Sequence, residues 1–301
     1  MNKKSKIIIV GFGSIGKRHY GNLRQLGFEN VYAYDIDKKK ITGKKIKTVK
    51  TINYKTLAQF EVAFICNPTN SHVKTAFQCA RAGCHLFIEK PLSHNLAGID
   101  ELQKLCKKNK LIVMVACNYL FHNGVRKMKS ILQEGLYGRP ILSRTVCISP
   151  VHTKYILVVD FGSHIVNYLQ VFLGNIKKGV VYKSKTSIFG IKGIEAATVL
   201  FKHSSGILSA VFIDYISRIR AHRVEMTTDR GMLTIDFVKG LITFENENKS
   251  KILYKGGDDI NKMFIDEIKH FFECIDKRKK PLQSLEDGKN VVEILSKVAK
   301  L

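Results

Sequence analysis

The first 118 residues alternate runs dominated by apolar residues with amphipathic stretches. Runs at 6–10, 30–34, 62–66, 85–88 and 111–115 predict strands, since a strand covered on both faces shows little polar alternation. Between them, helical spacing of apolar positions predicts helices over 15–26, 72–82 and 96–108, two of them stopped by Gly27 and Gly83. Strands separated by helices imply right-handed crossovers and a parallel sheet. From Tyr119 the pattern changes. Helices are expected at 124–134 and 161–173, stopped by Gly135 and Gly174, with an extended segment at 141–148 between them. Alternating segments at 176–185, 195–201, 206–213, 222–228, 231–237 and 241–245 then follow without helices. Short turns such as 202–206 between them predict an antiparallel sheet. Helices at 262–277 and 285–300, separated by Pro281, close the pattern. The expected architecture is α/β: an N-terminal Rossmann doubly wound parallel sheet over 1–118, then an α+β domain with an open, mainly antiparallel sheet over 119–301. The terminal helix can pack back on the first domain.

The first strand runs into Gly11-Phe12-Gly13-Ser14-Ile15-Gly16, where the helix begins. Three spaced glycines at a strand-to-helix turn aim the free N–H groups and partial positive charge of a helix N-terminus at a diphosphate. Gly11 allows the tight turn, Gly13 the approach of phosphate, and Gly16 close helix–strand contact. Ile15, Leu23 and Leu26 are expected on the inner side of that helix. Asp35 ends the second apolar run, where a carboxylate accepts hydrogen bonds from an adenosine ribose. The spacing therefore predicts a dinucleotide site. Asp35 favours NAD, pairing with a free 2′-hydroxyl, while Lys38, Lys39 and Lys40 close behind can accommodate NADP.

Composition narrows the class. A chain of 301 residues with 45% hydrophobic and 25% charged residues is globular and long enough for two cores. The net charge is +25, with no acid between Lys38 and Lys50. A solvated basic surface accounts for it; attraction of an anionic, phosphorylated substrate is the functional alternative. Zinc-ligand spacing, aromatic ribonucleoprotein motifs and a separate basic tail are all missing from the sequence, so nucleic acid is not expected as a partner. Apolar runs such as 111–116 are too short to cross a bilayer, and no membrane partner is expected. Lys3 and Lys4 before the first apolar run mimic a secretion signal, but Lys17 and Arg18 follow without a small-residue cleavage site. Seven cysteines without a Cys-x-x-Cys pair fit reduced thiols and a cytoplasmic location. Cys66, Cys79, Cys84 and Cys117 lie in apolar settings as small core residues.

Three further segments carry candidate chemistry. Asn67-Pro68-Thr69-Asn70-Ser71-His72 follows a strand at the carboxyl edge, where ligands of doubly wound sheets bind, and Ser71 is placed to cap the next helix. A plain loop and cap explains most of these side chains; contact with cofactor ribose or nicotinamide is the functional reading. Glu89-Lys90-Pro91 follows the next strand, and Pro91 biases Lys90 to extended backbone at the crevice mouth. A solvated, inert lysine is the simpler reading from composition. Asp160, His164 and Asn167, spaced i, i+4 and i+7, share one helix face. Asp160 is an expected N-cap, and His164 is either packed or poised to take a proton from an alcohol. No metal ligands are assigned.

The ordered set Gly11-x-Gly13-x-x-Gly16, Pro68-Thr69-x-x-His72, Ala82-Gly83-x-x-x-x-x-Glu89-Lys90-Pro91 and Asp160-x-Gly162-x-His164 resembles the glucose–fructose oxidoreductase, inositol dehydrogenase and MocA-like family. The resemblance spans nearly the whole chain, and the closing segment 281–301, with Asp287-Gly288, is similar to that family's final helix. It implies a nicotinamide cofactor and hydride transfer at a ring carbon of a sugar, cyclitol or nucleotide-activated sugar. It assigns Lys90 to the reacting hydroxyl, His164 to the acid/base role and Asp160 to support of the imidazolium. Asn118, Tyr119 and Asn167 fall at its substrate side, and it implies homo-oligomers formed through the antiparallel sheet. The chain departs from the family at Leu120, where arginine is common, and at Asn167, where aspartate is frequent. The interval from Gly138-Arg139-Pro140 to Asp160 is also short, leaving Val151-His152-Thr153-Lys154-Tyr155 in place of a longer substrate loop. A catalytically impaired sensor or partner subunit of the same fold is the alternative.

Overall fold

The computed structural model describes residues 3–42, 45–149, 157–184, 196–214, 217–257 and 259–300, the side chains of 157–161 and 298–300 excepted. The chain divides into two compact units, 1–118 with 260–292 and 119–259 with 293–301. In the first run β1 (Ile7–Val10), α1 (Ser14–Gln25), β2 (Val31–Tyr34), β3 (Lys47–Thr48), α2 (Tyr54–Leu57), β4 (Val62–Ile65), α3 (His72–Arg81), β5 (His85–Ile88), α4 (Ile99–Lys108) and β6 (Val113–Val115). The strands lie in the order β3-β2-β1-β4-β5-β6, every pair parallel. Ile7, Ile8 and Ile9 are 0% exposed, which is why β1 lacks polar alternation. With β2 on one side of β1 and β4 on the other, the order switches there and opens a crevice at the carboxyl ends.

The pattern had not shown β3 or α2, each too short to carry a period. α4 begins at Ile99 rather than 96 because Gly98, at φ +74°, sits in the left-handed region just before it. On α1 the inner side is Gly16, His19, Asn22 and Leu23; Ile15 and Leu26 are only half-buried.

The second unit holds α5 (Asn123–Glu134), β7 (Pro140–Ile148), α6 (Leu157–Leu173), β8 (Ile176–Ser184), β9 (Ala196–His203), β10 (Leu208–Asp214), β11 (Ala221–Thr228), β12 (Gly231–Asp236), β13 (Leu241–Asn246) and β14 (Lys249–Lys255). Its sheet runs β14-β13-β12-β11-β7-β10-β9-β8. The sheet is not wholly antiparallel, because β7 and β10 pair in parallel. α6 returns the chain before β8, and two antiparallel steps, β8 to β9 and β9 to β10, bring β10 beside β7 in the same direction. α6 packs on β9 and β10, and α5 on β13. The opposite face leaves Val180, Tyr182, Leu200 and Phe212 exposed. β14 was not among the expected strands; its charged residues mask the alternation.

α7 (Ile260–Lys277) and α8 (Leu285–Lys300) end the chain, α7 lying in the first unit. Phe272 stacks on Phe28 at 4.4 Å, and Phe271 meets Phe87 edge-on at 5.4 Å. Ser284 donates through N–H and O–H to Asp287 Oδ2 at 2.9 and 2.6 Å, fixing the start of α8. A side chain at Gly288 would lie 2.6 Å from Val115 Cγ2, so this turn of α8 rests on β6.

Candidate active site

The glycine turn is tight in two places and open in one. Gly11 has φ +98°, and a Cβ there would fall 2.3 Å from Asn67 N; at Gly16 it would fall 2.1 Å from Gly11 O. At Gly13 a Cβ would meet nothing within 4 Å. Gly13 is the N-cap of α1, no side chain bonds there, and the first turn holds no acid. The N–H groups of that turn have no intrahelical acceptor. Open space in front of free donors is what a diphosphate needs, so these residues fit the dinucleotide. Phe12, Ser14 and Ile15 complete the turn, with Phe12 buried and Ser14 exposed.

Asp35 is 5% exposed and belongs to the same construction. Its Oδ2 accepts the Phe12 N–H at 2.7 Å and its Oδ1 the Asp37 N–H at 2.8 Å, while Lys40 Nζ stands 3.5 Å away. A carboxylate has further lone pairs, so the ribose role remains compatible with both bonds. Lys38 lies over the Tyr34 ring and donates to Lys50 O at 3.3 Å.

After β4, Asn67 Nδ2 donates to Thr75 Oγ1 at 2.8 Å, and Pro68 leads into a short turn over Thr69–Ser71. Ser71 stands at the N-cap of α3 but makes no side-chain cap bond; its hydroxyl turns to Asn70 Oδ1 instead. His72 is buried, with Nε2 2.7 Å from Asn67 O and Nδ1 2.9 Å from Pro91 O. Burial lowers its pKa, against the pull of the two carbonyls. The ring thus ties the loop after β4 to the loop after β5.

Glu89 and Lys90 follow β5, and the Lys90–Pro91 peptide is cis. Glu89 is buried, its Oε1 2.6 Å from His19 Nε2, and its Oε2 accepts the Lys90 N–H at 3.2 Å. Burial pushes this carboxyl up, but the His19 bond and the charges of His19, Lys90 and His72 outweigh it and hold it below the usual range. Glu267 on α7 reaches the end of β6, its Oε1 accepting the Cys117 N–H at 2.5 Å just before Asn118. Sequence reasoning missed His19 and Glu267. The signal for His19 was a histidine three residues beyond Gly16, on the helix's packed side.

In the second unit, α6 carries Ser163, His164 and Asn167, the histidine half-buried and the other two buried. The helix is described from Leu157, so Asp160 lies within it and is not the N-cap expected. The Asp160 side chain, and the segment Val151–Tyr155, lie outside the described residues. The His164 ring packs at 4.8 Å from Tyr119, which also stacks with His122 at 6.0 Å and meets Phe237 edge-on at 5.6 Å. Tyr119 OH lies 3.3 Å from His222 Nδ1, and Tyr168 OH 3.2 Å from His222 Nε2. Burial, with His122 and Arg220 nearby, pushes the His222 pKa down to about 3. The imidazole is therefore neutral, donating to one tyrosine and accepting from the other. His122, Tyr168, His222 and Phe237 were not foreseen. They come from four separate elements or turns and share no spacing.

Residues 5–117 match the family described as "Oxidoreductase family, NAD-binding Rossmann fold", of glucose–fructose oxidoreductase, inositol dehydrogenase and MocA type. The Rossmann domain matches that family of NAD-binding oxidoreductases over 113 of the 301 residues. The chain is 26% identical to myo-inositol 2-dehydrogenase of Thermotoga maritima, covering 94% of this chain and 92% of that one. Its fold is shared with an Agrobacterium radiobacter oxidoreductase solved with NAD+, L-tartaric acid and magnesium (TM-score 0.86, 15% identity, 99% and 96% covered). It is shared too with UDP-N-acetylglucosamine 3-dehydrogenase of Acidithiobacillus ferrooxidans (TM-score 0.84, 15% identity, 98% and 96% covered). No helix among the described residues is long and apolar enough to cross a membrane.

Proposed function

We propose that the protein is an NAD-dependent dehydrogenase or reductase acting at a hydroxyl- or keto-bearing ring carbon of a sugar, cyclitol or nucleotide-activated sugar. The observation that carries the reading is the turn in which Gly11 and Gly16 are closed by backbone while Gly13 faces open space. The names of the related inositol and UDP-sugar dehydrogenases support the substrate class. Gly11 to Gly16 hold the diphosphate, and Asp35 takes the adenosine ribose. The engagement of Lys38 and Lys40 with Tyr34 and Asp35 supports NAD over NADP. Asn67, Pro68, Thr69, His72 and Glu89 shape the loops that take the nicotinamide end. NAD, when bound, supplies the hydride acceptor. Lys90 stabilises negative charge on the substrate oxygen, and His164 takes its proton. Asp160 supports the imidazolium, while Asn118, Tyr119 and Asn167 bind the substrate's other hydroxyls.

The exposed face of Val180, Tyr182, Leu200 and Phe212 supports a homo-oligomer through the second sheet. Seven buried cysteines with no disulfide among the described residues support a reducing cytoplasmic setting. The test is a cofactor-reduction screen over inositols, aldoses and nucleotide sugars. Lys90→Ala and His164→Ala should each lower turnover by about 100-fold or more, with His164→Ala leaving NAD affinity unchanged. NAD binding without turnover on any of these substrates would replace the enzyme with a nicotinamide-binding sensor.

A further inference from the structure

Glu267 is 0% exposed and lies on α7, 150 positions from the residue whose N–H it accepts. Its Oε1 takes the Cys117 N–H, and its Oε2 has no hydrogen-bond partner among the described residues. No ion pair reaches it among those residues either, whereas Glu89, at the end of the neighbouring strand, is paired with His19. A carboxylate in a closed site, given one N–H and no cation, is strongly disfavoured in its ionised form. A second carboxylate nearby disfavours that form further.

We propose that Glu267 is a neutral, proton-bearing carboxylic acid and a positioning residue for the cofactor edge. Its carbonyl oxygen fixes the end of β6 and the turn into Asn118, and its protonated oxygen leaves Glu89 to carry the negative charge beside Lys90. Burial raises the Glu267 pKa well above the carboxylate range and the Glu89 charge adds to it, while the Cys117 N–H pulls the other way without overcoming them. The consequence for Lys90 rests on the oxidoreductase reading above. A second anion beside Glu89 would raise the cost of keeping Glu89 ionised next to Lys90.

The deciding experiment is infrared spectroscopy of the full chain at neutral pH, combined with NAD titration. Wild type should show the C=O band of a protonated carboxyl, and Glu267→Gln should lose it. Glu267→Gln should bind NAD within about twofold of wild type, since a neutral amide oxygen still accepts the Cys117 N–H. Glu267→Leu strands that N–H and should weaken NAD binding by about tenfold. Absence of the band in wild type, its survival in Glu267→Gln, or equal NAD affinity of the Gln and Leu variants would each overturn the proposal. If wild type fails to bind NAD at all, the oxidoreductase reading falls, and the infrared band still decides the charge state of Glu267.

Discussion

The carboxyl edge of the first sheet and the ring cluster around His222 hold their polar groups by different means. At the carboxyl edge of the first sheet, several side chains are bonded to main chain, beside the Glu89–His19 and Asn67–Thr75 pairs. Asp35 takes the Phe12 and Asp37 N–H groups, Glu267 takes Cys117 N–H, and His72 faces two carbonyls, all between 2.5 and 2.9 Å. In the ring cluster of the second unit the contacts run side chain to side chain and are longer, with His222 between two tyrosines at 3.2 and 3.3 Å. An edge clamped by backbone suits a ligand whose diphosphate and ribose never vary. A nest of rings can be given a new shape by one substitution without moving any strand. The substrate preference of this oxidoreductase should therefore be written in the second unit.

The sharpest way to break that contrast is at the glycines. A Cβ at Gly11 collides with Asn67 backbone, where neither partner can yield, and φ +98° adds strain. Gly11→Ala should cost about 3 kcal/mol or more in chemical denaturation and abolish NAD binding. Gly13→Ala enters open space and should change stability by no more than about 0.5 kcal/mol, yet lose most NAD affinity through contact with the diphosphate. Equal stability of the two variants would show that backbone does not clamp the edge.

The second unit can be probed through its neutral imidazole. With a pKa of about 3 in the fold and about 6.5 in the unfolded chain, His222 binds a proton more readily when unfolded. Stability from this residue is untouched above about pH 6.5, declines as pH falls, and reaches its full loss near the folded pKa. Between pH 7 and pH 5 the loss amounts to about 2 kcal/mol. Urea unfolding of His222→Gln should show a pH dependence flatter by that amount. An unchanged slope would mean that the ring is not held neutral between Tyr119 and Tyr168.

Legibility followed the same division. Gly11, Gly13, Gly16 and Asp35 could be read from the chain because backbone geometry demands glycine at fixed spacing and a carboxylate at a strand end. The parallel pairing of the first sheet followed from the alternation of runs and helices, though β3 was too short to read. The parallel pairing of β7 with β10 did not, since pairing between distant strands leaves no local period. His122, Tyr168, His222 and Phe237 were silent for a related reason: each alone is an ordinary half-apolar residue, and only folding makes them neighbours. Ser71 shows the opposite error, a good cap residue whose hydroxyl bonds elsewhere. Glu267 lay hidden on a helix whose apolar stripe suggested packing alone.

A small change in folding energy should accompany a change of assembly. The outer face of the second sheet is itself divided: Val180, Leu200 and Phe212 lie on β8, β9 and β10, whereas Arg223, Glu225, Thr234 and Thr243 occupy β11 to β13. Registers place Phe212 beside Thr198 and Val146, with Tyr182 next along, so one apolar band crosses four strands. Phe212 is 45% exposed, and Phe212→Glu should cost the subunit less than about 1 kcal/mol, the span of strand preferences. Placed against a second copy in the homo-oligomer proposed above, the new carboxylate would be buried without a partner and should dissociate it. Thr243→Glu on the polar half should leave the assembly intact. Sedimentation of the two variants beside wild type separates the halves, and an unchanged mass for Phe212→Glu would remove the apolar band as the interface.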